Sequence, residues 1–252
     1  SLFCSCAQQK ETTSAIPVIL DTDVGNDIDD VLAMQMLLNY EKKGKIDLLG
    51  ITISKCNPYS LEYIDAYCRF NDKYDIPLGY AYNGMNTDDG HYLRQTLDTI
   101  IDNNKILHPK RSLKDHIPEG YKLLRKLLAE QGDHSVVFIA LGPETNLARL
   151  LISEADEYSE LDGKALVAQK VKLLSVMGGL YGNEFDFPEW NIVNDLNAAQ
   201  ITFKKWPTPI IASGWELGNK IRYPHQSILN DFADSYKHPL CVSYKIYQEM
   251  PY

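Results

Sequence analysis

Ile16 to Leu20 is a short run of aliphatic residues that ends in a cluster of aspartates, and from Asp30 the chain continues as Val31, Leu32, Ala33, Met34, Met36, Leu37 and Leu38. The order reads as strand, loop and buried helix. A second apolar run, Leu48 to Ile53, follows the polar connection Glu41 to Lys45. The opening is therefore a βαβ unit, which makes its two strands parallel and demands helical cover for the sheet. The alternation continues. Helices are predicted at Ser60 to Tyr74, at Glu119 to Glu130, where Tyr121, Leu123, Leu124, Leu127 and Leu128 mark one face, and at Thr145 to Ile152 and Asp195 to Lys205. Strands are predicted at Val136 to Leu141, Val171 to Met177 and Pro209 to Ala212. The fold class is α/β: a single domain over residues 16–252 with an open, largely parallel β-sheet flanked by helices.

Sheets of this kind bind ligands outside the carboxyl ends of their strands. Polar loops stand at those ends: Asp21 to Asp30, Lys55-Cys56-Asn57, Gly142 to Asn146 and Gly178-Gly179. A parallel sheet brings them to one rim. The net charge of −9 argues against DNA or RNA as partner, because phosphate neutralisation needs clustered Lys and Arg. A small neutral or cationic molecule fits better. No apolar run reaches the ~18 residues of a membrane-spanning helix. Ser1-Leu2-Phe3-Cys4-Ser5-Cys6 and the polar stretch after it look like the end of a bacterial lipoprotein signal and its tether, with Cys6 as the lipidated residue. The alternative is that residues 1–15 are a flexible leader with incidental cysteines. The first reading implies a periplasmic or membrane-anchored protein, the second allows a cytoplasmic one. Cys56, Cys68 and Cys241 lack metal-site spacing and read as free thiols in or near the core.

Five carboxylates fall within the ten residues Asp21-Thr22-Asp23-Val24-Gly25-Asn26-Asp27-Ile28-Asp29-Asp30. Two anions ~4 Å apart repel by roughly 4 kcal/mol at an effective dielectric of 20. A hard cation relieves this, and an oxygen-only donor set without His or Cys suits Ca²⁺ or Mg²⁺ rather than zinc. Asp29 taken alone reads as a helix cap. Asp23 and Asp30 together read as metal ligands.

These residues resemble a known family. Ile19-Leu20-Asp21-Thr22-Asp23-Val24-Gly25 with Asp29-Asp30-Val31-Leu32-Ala33 is similar to the N-terminal signature of the inosine-uridine nucleoside hydrolases. Ile51-Thr52-Ile53 leading to Asn57 resembles the family's second strand and its substrate-binding Asn. Ala140 to Ala148 resembles the segment whose backbone carbonyl, here that of Leu141, coordinates calcium. Met177-Gly178-Gly179 followed by Glu189-Trp190-Asn191 and Asp195 resembles its ribose-binding stretch. The resemblance implies a Rossmann-like core, Ca²⁺ as cofactor, Asp23 as both metal ligand and general base, and a nucleoside as substrate. Asn57, Met177, Asn183, Glu189 and Asn191 are its candidates for holding the sugar, with Trp190 as core or pocket wall. It also implies a homo-oligomer, since the family often forms dimers and tetramers.

Two departures stand out. Asn26, Asp27 and Ile28 make the aspartate loop two residues longer than the shorter family pattern, so that Asp27 or Asp30 is the second metal ligand, and Asp30 keeps register with the following helix. The family's C-terminal metal-binding Asp has no match before Tyr252, which reads as a C-terminal truncation, so this chain is expected to be nearly inactive and a version extended past Tyr252 active. None of the six histidines has a flanking motif that marks it as the acid for the leaving base. Two other readings compete: a haloacid-dehalogenase-like phosphohydrolase with Asp21 as nucleophile and Mg²⁺ as metal, and a non-catalytic sugar or nucleoside binding protein.

Overall fold

The computed structural model describes residues 14–183 and 185–249. The strands are β1 (Ile16–Thr22), β2 (Ile46–Ile53), β3 (Leu78–Tyr80), β4 (Ile100–Ile101), β5 (Asn104–Lys105), β6 (Val136–Ala140), β7 (Val171–Met177) and β8 (Ile210–Ser213). The helices are α1 (Asp29–Lys42), α2 (Pro58–Phe70), α3 (Leu93–Asp98), α4 (Gly120–Ala129), α5 (Thr145–Leu151) and α6 (Gly163–Lys170). They continue with α7 (Trp190–Asn194), α8 (Leu196–Lys205), α9 (Trp215–Lys220), α10 (His225–Asn230) and α11 (Pro239–Glu249).

Six strands form one sheet in the order β3-β2-β1-β6-β7-β8, every neighbouring pair parallel. The central strand explains why. Val18, Ile19 and Leu20 are each at most 2% exposed, so β1 is covered on both faces, as parallel strands must be. Alternation sends Val18 and Leu20 into one core with α1, α2 and α11, and Ile19 into the other with α4, α5 and α6. Leu123, Leu124, Leu127 and Leu128 of α4 are buried in that second core, as their spacing predicts.

The order reverses direction beside β1, where the chain leaves for β2 on one side and returns as β6 on the other. Such a switch point opens a crevice at the carboxyl ends of the two strands. The aspartate loop sits there. Cys56, Cys68 and Cys241 are free, the last two buried. No helix among the described residues is long and apolar enough to cross a membrane. Cys6, read as the lipidated residue, and the chain end at Tyr252 lie outside the described residues.

Candidate active site

β1 ends in Asp21-Thr22-Asp23, and the two aspartates do different things. Asp21 is wholly buried; its Oδ2 accepts from Thr52 Oγ1 of β2 at 2.5 Å and from Asn146 Nδ2 of α5 at 2.8 Å. That ties the first two strands to α5. Burial pushes its carboxyl up to about 7 against the downward pull of those hydrogen bonds. Its Oδ1 is buried without a partner.

Asp23 is 4% exposed, and its Oδ2 accepts from Asn86 Nδ2 at 3.1 Å and Asn26 Nδ2 at 3.4 Å. Burial is again the main force lifting it to about 7; Lys55 pulls it down, while Asp29 and Asp21 push it up. Gly25, at φ +131, lets the chain turn directly after this residue. Gly142 makes room on the other side, since a Cβ there would stand 2.5 Å from Asp23 Oδ1.

Asp30 lies in the first turn of α1, buried, and its Oδ1 accepts from Thr22 Oγ1. Burial, then Asp23, then Asp29 hold it well above the ordinary carboxylate range. Asp27 is exposed instead, its carboxylate accepting from Tyr247 O–H at 2.8 Å. The cap reading of Asp29 is corrected: Ile28 occupies the cap position with no side-chain cap bond, and Asp29 is an exposed acid inside the first turn. A carboxylate in the first turn is favoured by the helix dipole, but here desolvation and then Asp27 raise the Asp29 carboxyl.

Among the described residues no group of three or more His, Cys, Asp or Glu side chains is close enough to hold a metal. A set of two carboxylates and a backbone carbonyl is smaller than that. Asp23 and Asp30 are buried, repel each other and offer only oxygen, and such donors fit a hard cation.

The opposite wall comes from the loop after β7 and from α7. Glu189 caps α7: Oε1 accepts from Asn191 N at 2.9 Å, and Oε2 from Gly179 N at 2.9 Å and Ile192 N at 3.1 Å. Asn191 Nδ2 reaches the Leu141 carbonyl at 2.8 Å and Met177 Sδ at 3.1 Å. The structure thus gathers Leu141, Met177, Glu189 and Asn191. Asn57 and Asn183 are placed differently. Asn57 caps α2 through Tyr59 N at 2.9 Å, with Pro58 at the first helical position, and donates to Asp89 Oδ1 at 3.0 Å. Asn183 stands exposed on the loop after β7.

Trp190 is 55% exposed, so it is pocket wall and not core. It lines a cleft with Asn26, Asp27, Asp88, Asp89, Gly90 and His91. Sequence reasoning passed over Lys55, Asn86 and Glu144. Glu144 is fully buried with both oxygens unpartnered, its carboxyl pushed up to about 8 by burial and then by Glu189, Asp21 and Asp195. A lysine directly after an apolar strand was the available signal for Lys55. Asn86 carries none, because nothing local marks a loop asparagine that folds back across 63 residues to Asp23.

The architecture is a Rossmann-like α/β sheet with a carboxylate-rich site at its strand ends. The family model for inosine-uridine preferring nucleoside hydrolases matches residues 18–250, and the chain belongs to that family of metal-dependent hydrolases. It is similar to the pyrimidine-specific ribonucleoside hydrolase RihA of Enterobacter sp. strain 638, 27% identical over 212 residues. RihA of Escherichia coli strain SMS-3-5 is 27% identical over 221 residues. In each case 82% of this chain is matched, and the chain spans 62% of the relative's length. Among solved structures, the plant nucleoside hydrolase PpNRh1 superposes with a TM-score of 0.66 at 22% identity, covering 92% of this chain and 70% of that one. A purine-preferring ribonucleoside hydrolase from Gardnerella vaginalis gives 0.67 at 17% identity, covering 92% and 71%. These likenesses establish the shared fold.

Proposed function

We propose that the protein hydrolyses the N-glycosidic bond of ribonucleosides or related N-ribosides in a calcium-dependent reaction, releasing the base and the pentose. The observation that carries this is the buried Asp23–Asp30 pair at the switch point, with Gly142 packed against Asp23, beside the contact that Asn191 makes with the Leu141 carbonyl. Asp23, Asp30 and the Leu141 carbonyl would hold the cation, with Asp30 favoured over Asp27 because Asp27 is exposed and engaged by Tyr247. When bound, a hard cation supplies charge that eases the ionisation of a water and anchors vicinal hydroxyls.

The remaining work falls to the protein's own groups. Asp23 takes the proton of the attacking water. Burial lifts its carboxyl toward 7, and beside a bound cation that carboxyl is drawn back down and kept ionised to accept the proton. Glu189 and Asn191 hold sugar hydroxyls, and Met177 lies beneath the ring. Asn57 and Asn183 join them on substrate binding, the former by exchanging Asp89 for a hydroxyl. Trp190 flanks the leaving base. The phosphohydrolase reading is weakened by Asp21, which is wholly buried and spends one oxygen on Thr52 and Asn146 where a nucleophile must meet its substrate.

The test is ribose release by the full-length protein from inosine, uridine, cytidine and a chromogenic riboside, with calcium and with chelator. Release that chelation abolishes is expected. Turnover of a phosphate ester without ribose release would instead support the phosphohydrolase, and nucleoside binding without release the non-catalytic protein.

A further inference from the structure

Lys55 follows β2 at the rim of the site and is 0% exposed. Its ammonium has three protons, and three acceptors surround it: Asn26 Oδ1 at 2.6 Å, Asp88 Oδ1 at 2.7 Å and Asn86 Oδ1 at 3.0 Å. The two asparagines are the same ones whose Nδ2 groups meet on Asp23 Oδ2, at 3.4 Å from Asn26 and 3.1 Å from Asn86. Two amide bridges therefore connect one cation to one carboxylate oxygen.

The direction of those bridges follows from what each group can do. An ammonium only donates. Each amide oxygen must face it, and each NH₂ is thereby turned toward Asp23. Without the cation, either carboxamide can turn over and set an oxygen against the carboxylate. Filling the space does not require a charge, because an apolar side chain of similar length occupies a buried position at lower desolvation cost. Among the described residues its direct ion pair is with Asp88, whose side chain is 52% exposed, and its charge also acts on Asp23.

We propose that Lys55 is a positioning residue for the general base: through Asn26 and Asn86 it fixes the plane of the Asp23 carboxylate, holding Oδ2 and leaving Oδ1, beside Gly142, to receive the proton of the attacking water. The assignment rests on the reading of Asp23 as the base. Lys55 itself touches neither water nor substrate. Its loss changes the rate of the chemical step rather than the binding of the nucleoside.

The experiment compares full-length wild type with Lys55→Met, Asn86→Ala and the double variant. Lys55→Met is expected to lower kcat tenfold to a hundredfold with KM for the nucleoside changed less than threefold. Asn86→Ala should act in the same direction, and the double variant should lose little more than Lys55→Met alone, because both changes break one chain of contacts. A wild-type kcat in Lys55→Met, or a double loss equal to the product of the single losses, overturns the proposal. Should Lys55→Met fail to fold, Asn86→Ala carries the test, since Lys55 keeps Asp88 and Asn26 there; a wild-type kcat in that variant is again a refutation. Side-chain amide NMR of Asn26 and Asn86 reads positioning without turnover. Resonances that are separate and narrow in wild type should shift and broaden in Lys55→Met, and unchanged resonances contradict the proposal. An absence of ribose release by wild type would instead count against the functional reading.

Discussion

Replacing Asp23 by Asn is expected to lower ribose release by about a thousandfold or more while leaving the fold intact. General-base catalysis contributes ~10²–10⁴ in rate, and this substitution also removes a carboxylate from the cation site. The fold survives because Asn is isosteric and takes a buried negative charge out of a site where Asp21, Asp29 and Asp30 already crowd it. Asn86 can still donate to the new side-chain oxygen. Thermal stability should therefore be equal or slightly raised. Asp27→Asn is the control. Its carboxylate is exposed and bonded to Tyr247, so activity within a fewfold of wild type is expected. Steady-state kinetics at saturating calcium decides the matter, and an Asp27 variant more damaged than the Asp23 variant would move the base to the wrong place in the loop.

Calcium should stabilise the protein strongly at pH 8 and hardly at all at pH 5. Asp21 and Asp23 have folded-state values lifted from 3.8 to about 7, chiefly by burial. Between those values the folded state holds protons that the unfolded chain has lost. The stability these groups contribute is fully present below about pH 4 and is lost as pH rises through 7. In the upper part of that window the carboxylates are charged and unrelieved, and there the cation has most to offer. At a hundredfold excess over its Kd a ligand adds about 2.7 kcal/mol. For a chain of this size that corresponds to roughly 5–10 °C in Tm. Melting curves with calcium and with chelator at both pH values measure it, and Asp30→Asn should remove the gain. A gain that is equal at both pH values, or that survives in Asp30→Asn, places the cation elsewhere.

Much of this architecture is legible in the sequence because burial and period leave a direct imprint. The apolar run of β1, the apolar positions of α1 and the four leucines of α4 state which surfaces must be covered, and alternating strands and helices leave few ways of covering them. The crowding of Asp23 and Asp30 is legible for a related reason, since acids packed at a strand end are forced together, and both are buried there. What failed or stayed hidden depends on contacts distant in sequence. β3 is three residues long and exists by pairing with β2. Asn57 has the sequence context of a helix cap, Asn followed by Pro at the first helical position, and in the structure it caps while also holding Asp89. Whether Asp29 caps α1 depended on where a lengthened loop lets the helix begin. Lys55 looks like an ordinary surface lysine until Asn26, Asn86 and Asp88 close around it from two separate loops.

The central claim is that a water, deprotonated at Asp23, replaces the base at the anomeric carbon of the pentose. Turnover of inosine or uridine by the full-length protein in H₂¹⁸O tests this most directly, with mass spectrometry of both products after reduction of the sugar to prevent exchange at C1. The account predicts one ¹⁸O on the pentose, none on the base, and labelled product lowered about a thousandfold or more in the Asp23→Asn variant. Label on a released phosphate, or an unlabelled nucleoside recovered intact after saturating binding, would contradict it.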